Sequence, residues 1–178
     1  VTTTTTEMAF TREDMLDPIE RMFEREYSNK YNVFEELLTT TEGGSGLADL
    51  AYVQGSEKGL HVVRIEESYR DCLTNVNAGV HSLSKIESNY RWLAVPLHEF
   101  RDGEDAFNEL LHKTCKRRGF GLIAVQQKGL GVSAKVLLEP SKTEGNFLPL
   151  YGDLRQKWLE ASRGRTSRGE YRVIDYTL

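Results

Sequence analysis

Charged side chains interrupt two short apolar segments in the first half of the chain. Asp49 lies in segment 47–53, and Arg64 and Glu66 end segment 60–66. The residues between them, Gln54-Gly-Ser-Glu-Lys-Gly59, have the composition of a turn, so the two segments read as a β-hairpin. Alternation along a strand puts Val63 and Ile65 on one face and Val62, Arg64 and Glu66 on the other. The chemistry this spacing favours is an ion pair across the hairpin between Asp49 and Arg64. A guanidinium is always charged and cannot ligate a cation.

Other chemistries find less purchase. Cys72 and Cys115 have no CxxC or Cys/His spacing and read as reduced, partly buried thiols. His61 and His81 read as ordinary polar residues, since neither has a second His at metal spacing. Ser45 and Ser68 lack a GxSxG context. The Gly-rich stretch 43–46 precedes a strand and not a helix with Lys-Ser/Thr, so it is no P-loop, and GxGxxG is absent. Trp92 and Trp158 read as core or half-buried anchors.

The elements that must hold these residues follow from periodicity. Residues 12–38 carry apolar positions mostly three and four apart and predict helix, with Asp14 or Asp17 as cap, Pro18 in the first turn and a break at 28–30. Residues 39–46 predict a loop, 71–89 a helix, and 90–95 a strand ended by Pro96. A helix from about residue 105 to Arg118 is stopped by Gly119, and strands 120–125 and 132–138 are joined by a glycine-containing turn. A short helix near 154–161, a basic linker at 162–169 and a last strand at 171–176 complete the chain. Helices flanking a mixed sheet predict an α/β fold, an α+β sandwich.

The 178 residues suffice for one core, expected over 12–162. Residues 1–11, threonine-rich, predict a disordered tail, and 163–178 a basic linker followed by a strand or tail. No apolar run approaches the ~20 residues a membrane span needs, and no signal-peptide pattern is present, so the expected location is the cytoplasm and no membrane partner is expected. The net charge of −4 conceals a split: residues 1–112 balance at −11 and residues 113–178 at +7. Such a split either pairs within the molecule or makes a basic face for phosphates. On the second reading Lys113, Lys116, Arg117, Arg118, Arg163, Arg165 and Arg168 are the nucleic-acid-binding candidates.

Three segments carry a family resemblance: Ala48-Asp-Leu50, His61-Val-Val-Arg-Ile-Glu-Glu-Ser68 and Tyr90-Arg-Trp-Leu-Ala-Val-Pro96, followed by Cys115-Lys-Arg-Arg-Gly-Phe-Gly-Leu-Ile-Ala-Val125. Over residues 14–140 the chain resembles the PD-(D/E)XK, or restriction-endonuclease-like, nuclease superfamily. The resemblance implies a restriction-endonuclease-like core in which a strand Asp and the Glu of an ExK tripeptide bind Mg²⁺ or Mn²⁺ beside a water-orienting Lys. Asp49 then holds the Asp position, but Arg64-Ile-Glu66 stands where Glu-x-Lys is expected. Shifting by two gives Glu66-Glu67-Ser68, which restores the acid and still lacks the Lys. The implied site is Asp49 and Glu66 as metal ligands, Glu20 or Glu24 as an extra acid from the first helix, and Lys85 as a migrated Lys.

Three functions follow as expectations. One is a nuclease-fold protein whose altered or lost site leaves it binding nucleic acid or a partner, with no cofactor. Another is an active Mg²⁺- or Mn²⁺-dependent nuclease using Asp49 and Glu66. The last is an α/β interaction or assembly module with no nucleic-acid role. DNA or RNA, a protein partner and a homodimer are the corresponding partners.

Overall fold

The structure is a computed structural model describing residues 10–26, 31–41, 44–54, 59–96 and 105–164. Helix α1 (Arg12–Glu26) leads into three antiparallel strands, β1 (Tyr31–Thr41), β2 (Gly44–Gln54) and β3 (Gly59–Ile65). Helices α2 (Tyr69–Thr74) and α3 (Gly79–Ser84) then cross to β4 (Tyr90–Pro96), and α4 (Asp105–Arg118) crosses to β5 (Gly121–Lys128). Both crossovers return parallel strands, β3 beside β4 and β4 beside β5. The hairpin strand β6 (Gly131–Leu138) and helix α5 (Gly152–Gly164) follow. Among the described residues six strands lie in chain order, β1-β2-β3-β4-β5-β6, in one mixed sheet. The fold is therefore an α+β sandwich with helices flanking a central mixed sheet.

Each face of the sheet has its own core. Met15, Ile19, Met22 and Phe23 of α1 cover Leu50, Tyr52, Val63, Ile65, Trp92 and Ile123. Val80, Leu83 and Ile86, with Leu111, Cys115, Tyr151 and Leu154, cover Val53, Leu60, Val62, Leu93 and Val95 on the other face. Burial on both faces explains the near-continuous apolar runs of the parallel strands. Gly121 is required where β5 passes Trp92: a Cβ there would lie 2.5 Å from the indole Cε3. Arg21 and Arg25, one turn apart on α1, donate to the carbonyls of Val132 and Ala134 and so cover part of the β6 edge.

Several expectations are corrected. Residues 31–38 are strand, not helix: Val33, Phe34, Leu37 and Leu38 mimic a helical stripe, but the β-branched run Thr39-Thr-Thr41 continues β1 instead of opening a loop. Gly44 and Gly46 belong to β2, where Gly46 passes 2.7 Å (virtual Cβ) from the Ser82 carbonyl oxygen. The predicted helix 71–89 is two helices, broken at Asn75–Ala78, with Gly79 at φ 53°. Helix α1 is capped by neither Asp14 nor Asp17. Thr11 caps it: its hydroxyl accepts from the Asp14 N–H, while its own N–H and hydroxyl donate to the Asp14 carboxylate. Those two donors hold the Asp14 carboxyl below its ordinary value. Pro18 lies inside α1, past the first turn. Phe10 and Thr11 are not tail; Phe10 is buried in the α1-side core. Residues 162–164 continue α5 instead of opening a linker, while 165–178, including the expected last strand, lie outside the described residues.

His61 is no ordinary polar residue. It is buried on β3 between aromatic rings, stacked on Tyr90 at 4.3 Å, with Phe23 and Trp92 beside it. The Trp92 Nε1–H donates to its Nδ1 at 3.2 Å, which requires that nitrogen to be unprotonated. Burial lowers its pKa from 6.5 to about 3. The unfolded chain therefore binds a proton below pH 6.5 that the native state refuses. The stability this residue contributes is complete above pH 6.5 and is lost as pH falls toward 3. Urea unfolding at pH 7.5 and pH 5 is expected to show ~2 kcal/mol lost through this group, and His61→Gln, which keeps an acceptor, removes that part of the slope. An unchanged slope in the variant contradicts the assignment.

Candidate functional site

The β2–β3 register pairs Leu50 with Val63, so one step further along the ladder sets Asp49 opposite Arg64. Asp49 is 2 % exposed, and each of its carboxylate oxygens is engaged. Oδ1 accepts from the Arg12 Nε–H, and Oδ2 accepts from the Ile65 N–H at 2.6 Å. Arg64 Nε stands 3.9 Å from the same Oδ2. Its closer partner is Glu66, whose Oε1 it approaches at 2.6 Å. Glu66 Oε1 also accepts from the Gly79 N–H at 2.8 Å, which ties the site to the start of α3. Arg64 reaches further to the Leu47 carbonyl at 3.4 Å, and the Arg12 N–H donates to Glu67 at 2.7 Å.

Two carboxylates, Asp49 and Glu66, thus meet two guanidiniums where the helix α1 N-terminus closes on the end of β3, with Glu67 held by the Arg12 main chain beside them. The side chains of Arg12 and Arg64 are 29 % and 15 % exposed against 2 % and 8 % for Asp49 and Glu66. Buried carboxylates are tolerable only with such partners, because an unpaired buried charge costs several kcal/mol.

The residue set does not fit a divalent cation. Hard cations need converging, unoccupied oxygens. Here both Asp49 oxygens are taken by an N–H and a guanidinium, and Arg64 stands between Asp49 and Glu66. Among the described residues no three His, Cys, Asp or Glu side chains converge as a metal set. The other implied members lie elsewhere. Lys85 is the last, capping residue of α3, and its ammonium donates to the Val76 carbonyl at 3.2 Å. Glu20 sits on α1 eight residues, about 12 Å, along the helix from Arg12. Glu24 is exposed.

The four basic candidates on α4 occupy the opposite end of the sheet. A parallel crossover delivers its helix to the start of the next strand, so the last turn of α4 lies at the beginning of β5. Asp49, Arg64 and Glu66 lie where β3 and β4 end. Lys113, Lys116, Arg117 and Arg118 are exposed on α4, and Arg118 donates to Ser84 Oγ at 2.7 Å. Arg163 lies on α5; Arg165 and Arg168 are outside the described residues. Cys72 and Cys115 are buried, and burial pushes the Cys115 thiol up to about 12, which makes it a poor nucleophile.

Sequence reasoning missed Arg12, Glu67 and the Gly79 N–H. The Thr-x-x-Asp pattern at 11–14 marks a helix start, and so locates Arg12 in the first turn, but nothing local announces a partner 37 positions away.

No protein-family model, no curated protein and no solved structure matches this chain. Among the described residues no helix is long and apolar enough to cross a membrane.

The geometry ranks the two arginines. Arg64→Ala takes the nearer guanidinium from buried Glu66, leaving it the Gly79 N–H, and the second guanidinium from Asp49, and is expected to cost about 3–5 kcal/mol. Arg12→Ala leaves Asp49 with Arg64 and the Ile65 N–H and is expected to cost about 1–3 kcal/mol. Urea denaturation measures both, and a larger loss for Arg12→Ala contradicts the ranking.

Proposed function

We propose that this chain is a nuclease-fold protein with a disabled catalytic site that binds nucleic acid without cutting it. The carrying observation is the pair of guanidiniums lodged on Asp49 and Glu66. A cleaving site of the resembled type needs those carboxylates free to share a cation and a lysine to orient water. Here the positive charge that would come from a metal is covalently part of the chain. Asp49 and Glu66 are read as structural, with Arg64 and Arg12 as their counter-ions.

Binding rests on the exposed end of α4. Lys113, Lys116, Arg117 and Arg118 span less than two helical turns, and phosphodiester backbones are recognised chiefly through such cations. The separation of this face from the Asp49 cluster supports a division of labour: phosphate contact does not bring a strand to the sealed carboxylates.

Fluorescence anisotropy with a labelled DNA duplex tests the reading. Four phosphate contacts predict about a 100-fold loss of affinity between roughly 50 and 200 mM salt. Replacing the four α4 cations by Gln is expected to flatten that slope. Incubation of plasmid with Mg²⁺ or Mn²⁺ is expected to leave it intact. Salt-independent or absent binding overturns the binding part, and cleavage that disappears in Asp49→Ala overturns the rest.

A further inference from the structure

A cleft of about 200 Å³ opens on the far side of the molecule from α1, between the 3₁₀ turn Leu148–Leu150 and helix α5. Asn146, Leu148, Pro149, Arg155, Trp158 and Leu159 line it. Arg155, Trp158 and Leu159 are three and four positions apart and share one face of α5. The base is fixed. Leu148 and Leu154 are buried in the core, and the Tyr151 hydroxyl donates to the Glu87 carbonyl at 2.7 Å. The preceding loop is pinned by Asn89, whose Nδ2 donates to the carbonyls of Thr143 and Gly145, both at 2.9 Å. The base of the cleft is therefore held in place before anything fills it, which lowers the cost of binding there.

Size and charge select the occupant. Small-molecule and cofactor sites run to about 300–1,000 Å³. This one holds a single large side chain. Its lining is mostly apolar, with Trp158 at its side and exposed Pro149 at its rim; Leu150, next to Pro149, is 59 % exposed. Arg155 is the one charged residue in the lining, and it makes no ion pair with any described residue. An aromatic or aliphatic anchor with a carboxylate beside it complements that arrangement. We propose that the α5 cleft docks a partner protein through a short acidic segment carrying one large apolar anchor side chain. Such anchors, seated in a pocket with a polar rim, carry most of the affinity of protein contacts. This site is independent of the α4 basic face and of the Asp49 cluster, and it stands or falls without them.

The probe is the blocked hexapeptide acetyl-Asp-Glu-Phe-Leu-Asp-Glu-amide, free and with a fluorescent label, titrated into the full chain. The indole of Trp158 reports occupancy, because Trp92 is fully buried and remote from the cleft. Saturable anisotropy is expected with the labelled peptide, together with a change in indole emission that disappears in Trp158→Phe. Arg155→Glu, and separately a peptide with Lys in place of its acids, is expected to weaken binding about tenfold or more. Replacing Phe-Leu by Ala-Ala is expected to do the same. Equal binding by all these peptides and variants overturns the proposal, as does no binding at roughly millimolar peptide. Acrylamide that quenches neither tryptophan shows the cleft already filled by the chain itself, which also overturns it. Self-association by light scattering that Arg155→Glu abolishes assigns the cleft to a second copy and overturns the choice of partner.

Discussion

Arg64 is the constraint around which this end of the molecule is built. Its guanidinium lies within 3.9 Å of Asp49 and 2.6 Å of Glu66, two carboxylates that water barely reaches. Neither acid is sustainable there alone, since the cost of a buried, unpaired charge exceeds the worth of the few contacts it makes. Once Arg64 is in place the remaining lone pairs need donors, and the fold supplies them from three directions. The Ile65 N–H comes from the strand itself, the Gly79 N–H from the start of α3, and the Arg12 side chain from the start of α1.

That arrangement explains features that otherwise look unrelated. Gly79 sits at φ 53° with its amide turned to Glu66, and a Cβ there would lie within 2.4 Å of the Cys72 backbone. The break between α2 and α3 is thus needed to bring an N–H to the carboxylate. Thr11 and Asp14 stop α1 at the point that lets Arg12 reach Asp49 with its side chain and Glu67 with its main chain. The two faces of the sheet, otherwise separate cores, are linked at this end by charge.

The parts of the fold visible in the sequence are those with local causes. Gly119 after a basic last turn ended α4, the glycines around Leu130 marked the β5–β6 hairpin, and the alternation at 60–65 put Arg64 across from Asp49. Strand β1 was hidden because its apolar residues fall at spacings that suit a helix, and its pairing with β2 over ten positions is a tertiary preference. His61 looked polar by type, yet the rings that bury it come from two other elements, Tyr90 and Trp92 from β4 and Phe23 from α1. Arg12 was invisible for the same reason. The candidate site was legible as an Asp–Arg–Glu constellation; its fourth member depended on where a helix 37 residues earlier would dock.

The exclusion of a divalent cation follows from Arg12 and Arg64 engaging the Asp49 and Glu66 oxygens. Isothermal titration of Mn²⁺ into the full chain, beside Asp49→Asn, measures it directly. No saturable heat that depends on Asp49 is expected. One Mn²⁺ per chain, bound by the parent and lost in Asp49→Asn, contradicts it.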